Sequence, residues 1–435
     1  MFRRLITALF GVGLFLCAGL GSASAADLPS KKAPPVAPVP DWWSTFAVSG
    51  SIEAGITGNP DLNSGGINFG RLFDDKANTP LLNQASITAM RPYDPAAKTV
   101  DFGFKVQLLY GSDARYTHFL GECDYCIGNI NQFDVEEAWG AVHLPYLFNG
   151  GFDVKAGQFV TLLGVEVINA PDNIFYSHSY IFNFGLPLKD TGVMTISHVT
   201  PFLDVYAGVV TGINTSLGWA SPAYGDPGNV NNAPHFEGGL SFTLLDGKVV
   251  INADTNMGPS NPNTPIGAFA CNCDPNTTWR FLNDANITWK ATDKLTFVGE
   301  ANYVHDDALG GVDAFGFAGY TTYQFNDWLR IGGRAEIFRD NNNFFVAAFP
   351  GNLDFVDFEH GYPSNAFAAP AATTYAELTG GVTITPVLPK SIPYLKGVLI
   401  RPEVRYDTSL NGTTPYAGGT KSSGVTFASD IILKF

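Results

Sequence analysis

Apolar and polar residues alternate along most of this chain with a period of two. Phe46, Val48, Ile52, Ala54 and Ile56 oppose Ser49, Ser51, Glu53 and Thr57, while Val100, Phe102, Phe104, Val106, Leu108 and Tyr110 oppose Asp101, Lys105 and Gln107. Leu203, Val205, Ala207 and Val209 oppose Asp204, Tyr206 and Gly208, and Phe236, Leu240, Phe242 and Leu244 oppose Glu237, Ser241 and Thr243. Such a period gives a β-strand one apolar and one polar face. The runs extend for about ten to twelve residues, the length a tilted strand needs to cross a bilayer.

About sixteen such strands can be counted, starting near Phe46, Leu82, Val100, Phe133, Phe152, Gly192, Phe202, His235, Gly247, Arg280, Leu295, Ala314, Trp328, Thr374, Gly397 and Ser422. Short connections such as Thr200–Pro201, Leu245–Asp246 and Asn326–Asp327 alternate with long polar ones such as Thr57–Leu81, Ser112–Gln132, Phe159–Thr191 and Asp340–Thr373. This rhythm predicts an all-β fold, a transmembrane antiparallel β-barrel over residues 46–435 with short periplasmic turns and long external loops. Closure is expected because an open sheet edge has no water to bond in hydrocarbon. Phe133–Leu144 fits two phases of alternation and Pro402 interrupts a good strand, so a bulge is expected at each. Tyr110, Trp139, Trp279, Trp289, Tyr303, Phe325, Trp328, Tyr375, Tyr406 and Phe435 are candidates for interfacial girdles.

The two ends of the chain fit an exported barrel. Arg3 and Arg4 precede the uncharged Leu5–Leu20 stretch, and Ala23-Ser24-Ala25 offers a cleavage site, so residues 1–25 read as a signal peptide. Cys17 lies within the apolar stretch and is not read as a lipid anchor. Residues 26–45 include a proline-rich segment, read as an extended periplasmic linker leading to the interfacial pair Trp42-Trp43. The terminal segment Ser422–Phe435 presents Val425, Phe427, Ile431, Leu433 and Phe435 on one face. It resembles the sorting signal that barrel-assembly machinery reads, which makes Phe435 the candidate assembly signal.

Composition narrows the function classes. Phe (34), Tyr (17) and Gly (47) are abundant, as strands and tight turns require. Without the two arginines of the signal, 23 basic residues stand against 40 acidic ones, a net charge of 23 − 40 = −17, which disfavours nucleic acid as a partner. Cys123-x-x-Cys126 and Cys271-x-Cys273 lie in external loops of an oxidising compartment and are disulfide candidates of open connectivity. A four-thiolate zinc site is the minor alternative, and no metal or cofactor is expected. The seven histidines are scattered, so catalysis finds little foothold, and the chain is not read as an enzyme.

Phe152–Asn214 carries a resemblance. Its Lys155–Phe159 strand end, Gly164 with Glu166, Pro171 with Asn173, Tyr176-Ser177-His178-Ser179 and Thr191-Gly192 are similar to the OmpL-like β-barrel porin family of Gram-negative outer membranes. The family favours His where this chain has Asp190. The resemblance implies a porin of the cell outer membrane.

A pore places its charges on the inner faces of its strands. Alternation puts Arg330, Arg334 and Glu336 on the inner face of one strand and Arg401, Glu403, Arg405 and Asp407 on that of another, so four arginines line one wall. Asp101 and Lys105 are pore-lining candidates on a third strand. The 159–191 loop carries Glu166, Asp172 and Asp190, and is expected to fold inward and set these acids opposite the arginines, creating a transverse field. The function expected is passive diffusion of small hydrophilic solutes or ions, with weak cation preference. The alternatives are a receptor or adhesin barrel with a plugged lumen and, more remotely, a barrel hydrolase. Expected partners are outer-membrane lipid, the barrel-assembly machinery and small hydrophilic solutes, with a homotrimer plausible by analogy with general porins.

Overall fold

The computed structural model describes residues 42–117, 119, 130–213, 233–259, 277–307, 310–346, 372–389 and 391–435. Sixteen antiparallel strands close into one barrel among these residues. They are β1 (Ala47–Gly58), β2 (Leu81–Arg91), β3 (Asp101–Gly111), β4 (Gln132–Leu144), β5 (Phe152–Val160), β6 (Lys189–Thr200), β7 (Leu203–Val210) and β8 (His235–Leu244). There follow β9 (Val249–Pro259), β10 (Trp279–Lys290), β11 (Leu295–Asp306), β12 (Val312–Asn326), β13 (Leu329–Asp340), β14 (Thr373–Ile384), β15 (Gly397–Ser409) and β16 (Ser423–Lys434). Every strand begins within a few residues of the position expected from alternation. No described helix is long and apolar enough to cross a membrane. The four cysteines, residues 1–25 and the linker up to residue 41 lie outside the described residues.

Each strand pairs with its sequence neighbours, and β1 pairs with β16 from Ser51↔Lys434 to Gly58↔Phe427. Beyond that ladder, the Phe435 N–H donates to the Gly50 carbonyl at 2.8 Å. Closure pairs the peptide groups that an edge would leave bare in hydrocarbon. Ile87, Phe102, Val209, Phe317, Leu378 and Phe427 lie exposed on the outer face, while Glu53, Gln107, Asp284, Glu300, Arg334, Glu377 and Arg401 are buried on the inner one.

One expected bulge is present and the other is not. Gln107 pairs with Glu137 and Leu108 with Val135, so Glu136 is an extra residue in β4. Both Glu136 and Glu137 are therefore buried, which explains the two phases of that segment. At Pro402 the register to β16 runs unbroken from Gly397↔Lys434 to Thr408↔Ser423. Toward β14, Gly381↔Glu403 and Ile384↔Ile400 keep a single register, with the ladder interrupted between them. The proline costs local hydrogen bonding without shifting the strand. Of the expected girdle aromatics, Trp139 and Tyr375 turn inward: Trp139 donates to buried Glu137 at 2.7 Å, and Tyr375 is fully buried.

The external half of the lumen holds its own apolar core. Leu72 and Phe73 from the β1–β2 loop and Tyr180, Ile181, Phe182 and Phe184 from the β5–β6 loop pack against Val304, Ala314, Phe338 and Tyr375 of the wall.

Two outcomes test this architecture. Leu378→Arg on the outer face of β14 costs about 2–4 kcal/mol in a denaturant titration of the membrane-inserted barrel, if the residue sits near the midplane. Deleting Phe435 lowers the amount of folded protein in the outer membrane, read by heat-dependent migration on gels, while channels that do assemble conduct normally.

Candidate functional site

The β5 and β6 strands run to Val160 and from Lys189, so the loop between them is 161–188 and Asp190 belongs to the wall. The loop enters the barrel and is bound to the inner face from β8 round through β15 to β2. It has little regular structure, so its peptide groups need partners from elsewhere. Charged side chains of the strands supply them.

Carboxylates receive the loop's N–H groups. Glu237 on β8 accepts from the Leu162 N–H and the Thr161 hydroxyl, both at 2.9 Å. Asp284 on β10 accepts from Gly164 at 3.3 Å, and Glu300 on β11 from Val165 at 3.0 Å. Glu403 accepts from Tyr176 at 2.8 Å and Ser177 at 3.2 Å, and Glu336 from Tyr180 at 2.7 Å and Ile181 at 2.8 Å. Arginines donate to the loop's carbonyls: Arg401 to Ala170 and Asn173, both at 2.9 Å, Arg334 to Ser177 at 2.8 Å, and Arg405 to His178 at 2.5 Å. On β2, Gln84 bonds the Ile168 carbonyl at 2.7 Å and the Ala170 N–H at 3.2 Å. The Asn83 bulge turns both Asn83 and Gln84 inward. Gly164 has a φ of +94°, and a Cβ there would sit 2.3 Å from Leu186. Only glycine lets the loop turn at that point without strain.

The arginines are also ion-paired. Arg334 lies between Glu166 of the loop, at 2.6 Å, and Glu377 on β14, at 2.5 Å. Arg401 bonds Asp430 and Glu53, and Arg405 bonds Asp407. Arg71 of the β1–β2 loop adds bonds to Asp74 and to Asp407.

The inner-facing placement expected for Arg330, Arg334, Glu336, Arg401, Glu403 and Arg405 is what the strands display. The arrangement of the acids differs from the expectation. Glu166 touches Arg334 and does not face it across a gap. Asp190 is buried in β6 beside Asn256, at 3.2 Å. Asp172 is the one of the three that is exposed. Asp101 pairs with Arg91 at 2.7 Å at the short-turn end of β3, and Lys105 pairs with Glu137. Glu237, Asp284, Glu300 and Glu377 hold or support the loop without any sequence feature that marks them. Each is an acid on the polar face of an alternating strand, a signal too common to mark it.

A closed transmembrane barrel with a long, wall-bound loop folded into its lumen is the architecture of a porin-type channel. The sequence matches the family described as "Putative beta-barrel porin-2, OmpL-like" over residues 45–435. The chain belongs to this family and is an outer-membrane porin. No curated protein matches it. Its fold is similar to the outer membrane channel DcaP of Acinetobacter baumannii, at 11% identity and a TM-score of 0.52, covering 90% of this chain and 97% of that one. It is similar also to an anion-selective porin from Comamonas acidovorans, at 8% identity and 0.55, covering 90% and 99%. OprB of Pseudomonas putida compares at 14% identity and 0.53, covering 90% and 94%.

Glu166 makes the loop's attachment sensitive to acid. Burial would raise its pKa, but Arg334, the His178 ring and the Ser179 N–H hold it down, from 4.5 to about 2. Because the bound carboxyl titrates below its free value, this tether is complete above pH 4.5 and weakens as pH falls toward about 2. Proteolysis of the loop should accelerate across that interval in the wild type. In Glu166→Gln it should already be faster than in the wild type at neutral pH, where only the variant lacks this tether.

Proposed function

We propose that the channel passes small hydrophilic solutes and ions passively, through the space left between loop 161–188 and the inner faces of β3–β5. The binding of the loop along β8–β15 and on to β1 and β2 supports this reading. On the facing wall, the Lys105 side chain stays 21% exposed and Lys155 half-buried, against 0% for Arg334. Lys155 lies over the Phe159 ring at 4.6 Å and near Trp139 at 5.7 Å, which holds its charge at the wall.

Charges that reach water set ion preference, and buried pairs contribute little at a distance. On this reading the transverse field comes from Lys105 and Lys155 on the facing wall, with half-buried Arg330 on β13 and exposed Asp172 on the loop across from them. Arg334, Arg401 and Arg405 serve to hold the loop. The local basic charge then outweighs the overall negative charge in setting preference. The same reading includes outer-membrane lipid around the exposed apolar band, removal of residues 1–25 on export, delivery by the barrel-assembly machinery and assembly as a homotrimer. Passage, not catalysis, is the proposed activity.

The apolar cluster in the external half of the lumen favours a second reading, a receptor barrel with a plugged lumen. Planar-bilayer recording and liposome swelling with small sugars separate the two, since a plugged barrel neither conducts nor swells vesicles. For the channel, Lys105→Ala with Lys155→Ala should move the reversal potential in a salt gradient toward cation preference. An unchanged potential would place the path elsewhere. Arg334→Ala leaves Glu166 and Glu377 buried without their shared cation, a loss of about 3–5 kcal/mol, and should give larger, noisier openings as the loop detaches.

A further inference from the structure

At the short-turn end of the barrel, four ionisable residues meet on the inner faces of neighbouring strands. His143 on β4 stands directly opposite Asp153 on β5, and His198 on β6 directly opposite Asp204 on β7. The His143 Nδ1 lies 2.5 Å from one Asp153 oxygen, and the His198 Nε2 lies 3.0 Å from the other. The side chains of His143 and Asp153 are 1% exposed and that of His198 is 6% exposed. We propose that His143, Asp153 and His198 form a binding site for a divalent transition-metal ion, Zn2+ being the fitting class.

The outward nitrogens carry the argument. His143 Nε2 faces the Ala97 carbonyl at 3.2 Å, and His198 Nδ1 faces the Asp204 carboxylate at 2.7 Å. A metal-bound histidine has this arrangement, donating its far N–H to a carbonyl or carboxylate so that the near nitrogen is free to ligate. Here both rings are oriented that way, and both near nitrogens converge on one carboxylate. The three donor atoms lie within 4.8 Å of one another. A tetrahedral Zn2+ with bonds of about 2.0–2.2 Å needs them about 3.3 Å apart, within reach of small side-chain movements, and leaves its fourth position to water.

The charge also suits a dication: Asp153 and Asp204 bring two carboxylates to the two rings, so Zn2+ would be buried against two negative charges. The phenol of Tyr93, in the β2–β3 turn, also faces Asp153, and burial together with that carboxylate raises its pKa.

The turn beneath the site is shaped for it. A Cβ on Gly151, whose φ is +91°, would lie 2.4 Å from the His143 ring, and one on Gly150 would lie 2.6 Å from the His198 Cβ. The Gly150 N–H donates to the His198 carbonyl at 3.0 Å, and the His198 N–H to Gly151 at 3.1 Å. A bound ion would tie β4, β5 and β6 together at the periplasmic rim, with β7 supplying the supporting carboxylate.

Equilibrium dialysis of the untagged, chelator-treated protein in detergent against Zn2+ tests the proposal. One ion per chain is expected for the wild type, with uptake lost in His198→Gln and Asp153→Asn and affinity reduced about 10–100-fold in Asp204→Asn. Heat-dependent gel migration establishes that each variant is folded. Co2+ bound to the wild type should show the visible absorption of a four-coordinate site, a readout that needs no variant. No Zn2+ uptake by the folded wild type overturns the proposal, as does uptake unchanged in folded His198→Gln and Asp153→Asn.

Discussion

A peptide group in hydrocarbon has no water to bond, and the rest of this structure follows from that constraint. It forces each strand to be paired on both sides and makes the β1–β16 seam obligatory. Closure in turn creates an interior, and the period of two sends every second residue into it. With the outer positions apolar, polarity accumulates inside. The lumen becomes a place where charged side chains are close together and partly shielded from water.

Such an interior can bind a segment that would be costly to bury elsewhere. The 161–188 loop brings unpaired peptide groups into the lumen, and the wall meets them with carboxylates for its N–H groups and guanidiniums for its carbonyls. Charge-assisted bonds of this kind are about twice as strong as neutral ones. Arg334 shows the economy of the arrangement, since a single planar cation touches Glu166, Glu377 and the Ser177 carbonyl. Desolvation of Arg334, Arg401 and Arg405 is offset because each of these guanidiniums has several partners. The same bonding fixes the loop along one side of the barrel, and the space on the other side becomes the route proposed for solutes.

Strand positions were legible because lipid imposes a strict rule on alternate residues, and β1 to β16 all begin within a few residues of where the pattern places them. Glu136 disturbed the pattern because a bulge adds a residue that only the partner strand reveals. An aromatic near a strand end suits either face, so the sequence positions of Trp139 and Tyr375 fit a girdle although both turn inward. The inward direction of Arg334 and Arg405 was legible, but their partners were not, since the loop that supplies them is irregular. His143, Asp153, His198 and Asp204 looked scattered because they meet only through the register of two hairpins and the ladder between them.

The amino-acid sequence alone determined that this is a closed, outer-membrane barrel of about sixteen strands, with one polar and one apolar face throughout. That information is local: a period of two can be read from neighbouring residues, and the bilayer leaves it no alternative expression. The tertiary structure decided which charges are consumed in holding the loop, which remain open to water, and which histidines share a carboxylate. Those outcomes depend on distances between residues remote in the chain, such as Arg334 and Glu166, which no periodicity records.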